Sequence, residues 1–378
     1  MARSSTMRSP FGFGDRWREA RDTLLSSRRF QRWAAAFPLT RPIARRRASD
    51  LFDLCAGFVY SQVLAACVRL RLFQQLQSGP MSIATLASRS SIAPEAMATL
   101  LEAAASLRLL ERRGEQGYGL GPLGAAMLGN PGIAAMVEHH CALYADLADP
   151  VALLRGEIAD HRLARYWPYT RGNAGSDLGH DEVSPYTALM SASQPMVAEM
   201  VLGACSFARH RCLLDVGGGD GSFLIAAGRS APDLKLHLFD LPGVAAIARD
   251  RLAAAGFGAR AAVTGGSFLR DPLPPGADVV SLIRVLHDHD DDHVLMLLAA
   301  IRAALPEGGT LVIGEPMSGE AGADAVGAYF GMYLYAMGSG RPRSFAALRG
   351  LLRQSGFTRV SLRRTRIPMI ASVIVAQS

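Results

Sequence analysis

Hydrophobic positions change their spacing in the middle of the chain. After residue 211, short apolar runs alternate with helical segments, a pattern typical of a parallel sheet covered by helices. The last two predicted strands, 360–365 and 369–376, meet at Pro368 and must form an antiparallel hairpin, since a parallel connection needs about a dozen residues. We therefore expect an α/β domain whose sheet ends in a hairpin. The other predicted strands are 212–216, 235–239, 261–264, 278–283 and 310–315.

The N-terminal half follows the spacing of helices. A long apolar helix is predicted over 51–72, then short helices over 82–89 and 94–107 and two extended pieces over 109–114 and 118–120. This order is typical of a winged helix, a fold that often binds DNA. The second short helix carries no arginine and offers little to phosphates, so we favour a dimerisation role.

The stretch between Asp53 and Arg69 is apolar and free of charge. It is shorter than the roughly 20 residues that a membrane-spanning helix needs, and it contains Tyr60, Ser61 and Gln62. We therefore expect a buried helix.

The cysteines stand singly in apolar surroundings, without the CxxC pairs that hold zinc or a redox disulfide. We expect them to be small core residues. They are Cys55, Cys67, Cys141, Cys205 and Cys212.

Length and composition indicate a globular protein. The 378 residues suffice for two domains and an appendage. With 49% hydrophobic and 19% charged residues, the chain as a whole is not disordered, collagen-like or a coiled coil.

The net charge of +7 is concentrated in residues 1–50, where twelve arginines stand against four acidic residues. Interleaved with Trp17, Phe30, Trp33 and Phe37, this arm suits an anionic membrane, nucleic acid or a partner subunit. The N-terminus lacks an apolar core followed by a small-residue cleavage site. We expect a cytoplasmic protein, peripheral on the inner membrane surface.

A glycine-rich turn, residues 215–221, follows the first strand of the sheet and opens a helix. Glycines let the backbone turn sharply and let a ligand approach closely. Asp215 would repel a pyrophosphate and favour an amino group, while Asp240 ends the second strand, where it can take both hydroxyls of a ribose. An amino acid at one end and a ribose at the other describe S-adenosylmethionine.

In combination, these motifs resemble the class I S-adenosylmethionine-dependent O-methyltransferases of the acetylserotonin and plant phenolic type, over roughly residues 50–378. The resemblance implies a Rossmann-like seven-stranded class I methyltransferase sheet and an N-terminal winged-helix domain that forms a homodimer. The matching segments are 214–221, 239–242, 284–288, 315–316 and 356–357.

Four segments follow from these patterns. Residues 1–50 are a basic amphipathic arm, 51–130 the winged-helix dimerisation domain, 131–205 a helical linker that contributes to the substrate pocket, and 206–378 the catalytic domain that binds S-adenosylmethionine.

The resemblance also assigns site residues. His287 is the general base, and Glu315 hydrogen-bonds its imidazole and fixes the tautomer. No metal is implied. The donor-binding residues are Asp215, Gly217, Gly219, Asp240, Leu241, Ser267, Phe268 and Arg284. The acceptor-pocket residues are Tyr144, Tyr186, Met190, Tyr333 and Met337.

Two positions depart from the family pattern. Gly266 stands where relatives have an acidic residue, so an adenine contact is missing or is replaced by the Ser267 backbone. The second orienting glutamate of many relatives falls on Pro342, which leaves Glu315 alone to hold His287.

The segment 287–293 also invites a metal site, because His289 and His293 are one helical turn apart. The aspartates between them stand at a predicted helix start, where carboxylates cap free N–H groups without any metal. We favour this capping role.

The pocket residues are apolar and adaptable, which suits a large acceptor. Segments 30–33, 37–42, 52–62 and 337–344 resemble the carotenoid hydroxyl O-methyltransferases of photosynthetic bacteria, which act on 1-hydroxyneurosporene and demethylspheroidene. This resemblance implies a tertiary C1 hydroxyl on an acyclic, membrane-soluble polyene. The alternatives are a methyltransferase of a bacteriochlorophyll ring or a phenolic polyketide, and a winged-helix regulator whose sheet senses S-adenosylmethionine.

Overall fold

A computed structural model describes residues 13–115, 117–167, 180–319 and 324–378. The chain divides into two compact units. The first comprises Met1–Leu72 and Gly79–Gly121, and the second comprises Phe73–Ser78 and Pro122–Ser378. The segment boundaries expected at 50, 130 and 205 remain predictions.

The first unit is mainly helical and contains a small antiparallel sheet. The sheet has the strand order β1-β3-β2, and its first strand, only two residues long, was not expected from the sequence. The elements are α1 (Phe13–Ser26), α2 (Arg28–Ala36), α3 (Arg41–Arg69), β1 (Met81–Ser82), α5 (Ile83–Ser90), α6 (Pro94–Ser106), β2 (Leu110–Arg113) and β3 (Gly117–Leu120), with α4 (Leu72–Gln75) where the chain passes to the second unit.

The expectation of a buried helix between Asp53 and Arg69 is wrong for the first half of that stretch. The helix α3 starts at Arg41, crosses position 50 without a break, and exposes Leu54 and Phe58 by 81% and 73%. By length and composition alone, α3 could cross a membrane, although only 17% of its most apolar window is buried within the chain. Cys55 is exposed as well, contrary to expectation. Apolarity predicts that a face needs cover, but not which molecule supplies it.

In the second unit, helices precede a seven-stranded sheet. The helices are α7 (Pro122–Leu128), α8 (Pro131–Asp146), α9 (Pro150–Leu154), α10 (Arg162–Tyr166) and α11 (His180–Ala204). The sheet region comprises β4 (Cys212–Val216), α12 (Ser222–Ser230), β5 (Lys235–Asp240), α13 (Pro242–Ala254), β6 (Ala261–Gly265), β7 (Val279–Ile283), α14 (Asp291–Ala304), β8 (Thr310–Glu315), α15 (Asp324–Met337), α16 (Phe345–Gln354), β9 (Thr358–Arg363) and β10 (Ser372–Gln377).

The sheet order is β6-β5-β4-β7-β8-β10-β9, parallel from β6 to β8. The last strand, β10, runs antiparallel between β8 and β9, so the hairpin expected from the short connection is confirmed. The order reverses at β4, and ligands bind beyond the carboxyl ends of the strands at such a switch point.

The sheet has a core on each face. Successive residues of β4 point to opposite sides: Leu213 packs in the cluster with Phe223 of α12, and Leu214 in the cluster with Leu297 of α14. Both faces are therefore dry, and the polar ends of the strands carry the site.

The helix α8 approaches α11 closely enough to require glycine. A Cβ at Gly132 would lie 2.6 Å from the carbonyl oxygen of Ala192. This contact brings the two helices together beside the carboxyl end of the sheet.

Candidate active site

The turn after β4 wraps around the carboxylate of Asp240. Gly217 and Gly219 have φ of 69° and 59°, the left-handed region that favours glycine. The N–H of Gly219 donates to Asp240 Oδ2 at 2.7 Å, and the N–H of Leu241 donates to Oδ1 at 2.7 Å. Burial raises the pKa of Asp240 to about 6, and these two N–H groups oppose the rise.

A cavity of about 160 Å³ opens at this turn, between α11 and the ends of β4, β5 and β7. Seven of the eight predicted donor-binding residues line it: Gly217, Gly219, Asp240, Leu241, Ser267, Phe268 and Arg284. The glycine turn leaves room for a ligand backbone, and Asp240 supplies an acceptor for hydroxyls. These residues fit the ribose and amino-acid ends of S-adenosylmethionine.

The eighth residue, Asp215, does not line the cavity, and the expected contact with an amino group is not formed from this position. Its Oδ1 accepts from Ser281 Oγ at 2.5 Å, and its Oδ2 is buried beneath the turn, where a Cβ at Gly218 would lie 2.8 Å away. Burial raises the pKa of Asp215 to about 7. The carboxyl of Asp215 supports the turn from inside.

At Gly266, the expectation that an adenine contact is missing or is replaced by the Ser267 backbone remains a prediction. A Cβ at Gly266 would lie 2.8 Å from the Phe239 ring, so a side chain has no room there. The N–H of Ser267 already donates to Asp271 Oδ2 at 2.8 Å, and its carbonyl accepts from the N–H groups of Arg270 and Asp271. The Ser267 backbone is therefore engaged within its own loop.

Arg284 connects the end of β7 to α11. It adopts a φ of 59°, and its guanidinium donates to Ser193 Oγ at 2.8 Å, to the carbonyl of Met190 at 3.0 Å and to Gln194 Oε1 at 2.5 Å. Arg284 lines the cavity as expected, and it also fixes the helix that forms the opposite wall.

The expected hydrogen bond between Glu315 and His287 is not formed. The Glu315 carboxylate at the end of β8 is buried, and its Oε1 lies 3.6 Å from His287 Nδ1, beyond hydrogen-bond distance. Oε1 accepts instead from the N–H groups of Val285, Leu286 and His287. Glu315 therefore holds the backbone of the turn that carries His287.

His287 lies behind the cavity wall, with 11% of its side chain exposed. Its Nε2 is 3.3 Å from Asp288 Oδ1, and its ring packs edge-on against Phe330 with centroids 6.0 Å apart. Burial lowers the pKa of His287, but the carboxylates of Asp288 and Glu315 outweigh burial, so the net shift is upward despite opposition from Arg284. The site favours a charged imidazolium once a proton arrives.

The predicted acceptor residues separate into two groups. Tyr186 and Met190 line the cavity. Tyr333 and Met337 lie in the adjoining apolar cluster with Trp167, while Tyr144 packs against the His140 ring with centroids 5.9 Å apart.

Two histidine–tyrosine pairs join α8 to α15 in this cluster. His139 Nε2 lies 2.7 Å from Tyr333 Oη, and His140 Nε2 lies 2.6 Å from Tyr329 Oη. Trp167 Nε1 also donates to Tyr333 Oη at 2.8 Å. Burial lowers the pKa of His139 to about 4, so this wall is neutral at physiological pH.

Sequence reasoning missed part of the cavity. Thr187, Ser191 and Gln194 line it from one face of α11, and their spacing of three to four residues was a usable signal. Asp288 and His289 also line it, and His289 packs edge-on against Phe268. The sequence placed Asp288 in the matching segment 284–288 and both residues in the segment that invited a metal site, but it did not predict that either lines the donor cavity.

Asp290 caps α14, as the capping role predicts. Its side chain accepts from the N–H of His293 at 2.9 Å. Across the described ranges, no group of three or more His, Cys, Asp or Glu residues is arranged to hold a metal ion.

The variant Asp240→Asn tests the donor site. Loss of a charged acceptor costs about 1.5–3 kcal/mol, so we expect the dissociation constant for S-adenosylmethionine to rise about 10- to 100-fold in isothermal titration calorimetry. The exposed Asp233→Asn is the matched control and keeps wild-type affinity. Equal affinity of Asp240→Asn and wild type would contradict the assignment.

Comparison with known proteins supports the same family by sequence and by fold. The family model for the O-methyltransferase domain matches residues 144–358, and the model for the O-methyltransferase dimerisation domain matches residues 52–130. Human N-acetylserotonin methyltransferase, solved in complex with SAM, has the same fold, with a TM-score of 0.73 at 24% identity, covering 88% of this chain and 97% of that chain. The predicted class I methyltransferase fold is thereby confirmed.

Two curated relatives are closer in sequence. Demethylspheroidene O-methyltransferase of Cereibacter sphaeroides is 46% identical over 354 residues, which are 93% of this chain and 93% of that protein. Acetylserotonin O-methyltransferase of Mus musculus is 33% identical over 343 residues, which are 84% of this chain and 86% of that protein. The chain therefore belongs to the S-adenosylmethionine-dependent O-methyltransferase family and carries the dimerisation domain of that family.

Proposed function

We propose that this enzyme methylates the tertiary C1 hydroxyl of an acyclic carotenoid. The observation that carries the proposal is the 46% identity, over 93% of both chains, to an enzyme named for demethylspheroidene. The neutral aromatic wall formed by α8, α15 and Trp167 supports it, because such a wall suits an apolar acceptor.

The acceptor needs more space than the donor cavity provides. A second cavity, of about 520 Å³, shares Leu269 and His289 with the first and extends toward the end of α15. An extended polyene whose hydroxyl end reaches the first cavity could continue into the second. A small phenol would need no such extension.

In this proposal His287 is the general base. S-adenosylmethionine supplies an electrophilic methyl group when bound. His287 Nε2 accepts the hydroxyl proton, and Asp288, 3.3 Å away, stabilises the imidazolium that results. An alcohol is far less acidic than a phenol, so the proton leaves late, as the new bond forms.

The basic arm supplies contact with the membrane in which such a substrate dissolves. The rings of Phe30 and Trp33 in α2 and of Phe37, which follows the helix, form one stripe, with Trp33 and Phe37 stacked at 5.2 Å. Arg28, Arg29 and Arg32 are spaced onto other sides of the helix. Exposed aromatic rings beside arginines are typical of helices that lie in an anionic membrane surface. We propose a cytoplasmic enzyme that is peripheral on the inner membrane surface.

The exposed part of α3 from Phe52 to Phe58 has a different partner from the basic arm. Phe52, Leu54 and Phe58 fall within the match to the dimerisation domain, which begins at residue 52. We propose that a second copy of the chain covers this face in a homodimer.

Mass spectrometry after incubation with S-adenosylmethionine tests the acceptor. The enzyme is given a hydroxylated acyclic carotenoid, a bacteriochlorophyll precursor or a catechol, and we expect one methyl group to be added to the carotenoid alone. Methylation of only the precursor or the catechol overturns the substrate. Absence of product from the carotenoid, with donor binding confirmed by calorimetry, also overturns it.

The base is tested separately with His287→Ala. General-base catalysis contributes about 10²- to 10⁴-fold, so we expect kcat to fall by that factor while the affinity for S-adenosylmethionine stays at the wild-type value. The matched control is His210→Asn, because His210 precedes the amino end of β4, whereas the cavity lies at the carboxyl end of that strand. Near-full activity of His287→Ala would contradict a base role.

Flotation with vesicles tests the arm. We expect binding to vesicles that contain phosphatidylglycerol and not to pure phosphatidylcholine. Replacing Arg28, Arg29 and Arg32 by Gln should weaken binding about 100-fold, since each arginine near an anionic surface contributes about 1 kcal/mol. The control is a triple variant in which three exposed arginines of the second unit are replaced by Gln: Arg349, Arg353 and Arg364. Equal binding of both triple variants, or binding to duplex DNA and not to vesicles, would refute membrane contact.

A further inference from the structure

One short segment after α15 donates hydrogen bonds to the backbone carbonyls of the turn that carries His287. The Leu286 carbonyl accepts from Arg343 Nη1 at 2.7 Å, and the His287 carbonyl accepts from the N–H of Arg341 at 2.9 Å. Ser339 Oγ donates to the Asp288 carbonyl at 2.6 Å, and Arg343 Nη2 donates to the His289 carbonyl at 2.7 Å. Four consecutive carbonyls thus take donors from residues 339–343, which we name the clasp.

Arg343 is buried beside the turn. Its side chain is 1% exposed, and it is paired with Asp291 at the start of α14, at 2.7 Å. A buried guanidinium is costly unless its donors are satisfied. The Asp291 carboxylate and the two turn carbonyls satisfy it together.

The backbone of the clasp lies directly against the turn. Gly340 has a φ of 79°, and a Cβ there would lie 2.0 Å from the His287 carbonyl oxygen. Only glycine fits at this position. The close approach explains how the N–H of Arg341 reaches that same carbonyl.

The clasp and Glu315 hold opposite sides of one turn. Glu315 takes the N–H groups of Val285, Leu286 and His287, and the clasp takes the carbonyls of residues 286–289. Pro342, within the clasp, has a side chain that offers no donor or acceptor to the imidazole. The backbone that carries the imidazole is therefore held from both sides.

We propose that the clasp positions His287 for catalysis, with Arg343 and Ser339 as positioning residues. The inference rests on the proposed base role of His287. Arg343 acts through the carbonyls on either side of His287, and Ser339 acts through Asp288, whose carboxylate faces the imidazole. Neither touches the reacting atoms.

A double-mutant cycle tests this proposal. Displacement of a catalytic group by about 1 Å costs on the order of 100-fold, so we expect Arg343→Met to lower kcat about 10- to 100-fold and Ser339→Ala to lower it by less. The KM for S-adenosylmethionine should change far less than kcat. Neither substitution should lower kcat further in a His287→Ala background. Arg353→Met, an exposed arginine of α16, is the matched control.

The pH profile of kcat separates positioning from stability. Asp288, Glu315 and Arg284 are the charged groups that act on His287. When Ser339→Ala releases Asp288, we expect the midpoint of the profile to move to lower pH, which a merely less stable protein would not show. Ser339→Ala is also the variant to rely on if Arg343→Met does not fold.

The outcomes distinguish the clasp from the base. If His287→Ala is impaired but Ser339→Ala and folded Arg343→Met keep wild-type kcat and midpoint, the clasp proposal fails alone. The clasp proposal is also overturned if Arg343→Met and Ser339→Ala lower kcat by the same factor in the His287→Ala background as in the wild-type enzyme. If His287→Ala retains full activity, the base role fails first.

Discussion

The buried carboxylate of Glu315 organises the centre of this enzyme. It lies at the end of β8 with 2% of its surface exposed, and a charge so buried requires donors. The N–H groups of residues 285–287 supply them, so the chain leaving β7 must turn over Glu315. Asp288 and His289 reach the donor cavity, and His287 lies behind it, because of this turn.

The turn also links the two sides of the site. Arg284, at its start, is bonded to α11, the opposite wall of the donor cavity. Phe330 of α15 packs on His287, and α15 is joined to α8 by the histidine–tyrosine pairs. A displacement of α15 would therefore reach the imidazole through packing, and a displacement of α11 would reach the same turn through Arg284.

The sequence predicted the parts that depend on local pattern. Strand spacing, the short connection at Pro368 and the glycine turn led to the sheet, the hairpin and the donor cavity. Other features depend on contacts between distant positions. Glu315 Oε1 lies 3.3 Å from the backbone nitrogen of His287 and 3.6 Å from its Nδ1, a difference too small for a sequence pattern to predict. Ser339 and Arg343 lie more than 50 residues along the chain from the carbonyls that they bond. Exposure of Phe58 depends on a second molecule, which the apolar pattern cannot identify.

The most direct measurement is the titration of His287 by NMR with nitrogen-15-labelled histidine, assigned with His287→Gln. Two carboxylates outweigh burial in this site, so the midpoint should lie above 6.5, the ordinary value for histidine. Asp288→Asn should lower it, because the nearer negative charge is lost. A midpoint at or below 6.5 in the wild-type enzyme would contradict the account. It would mean that burial outweighs the carboxylates of Asp288 and Glu315, and that the turn does not keep the imidazole close to them.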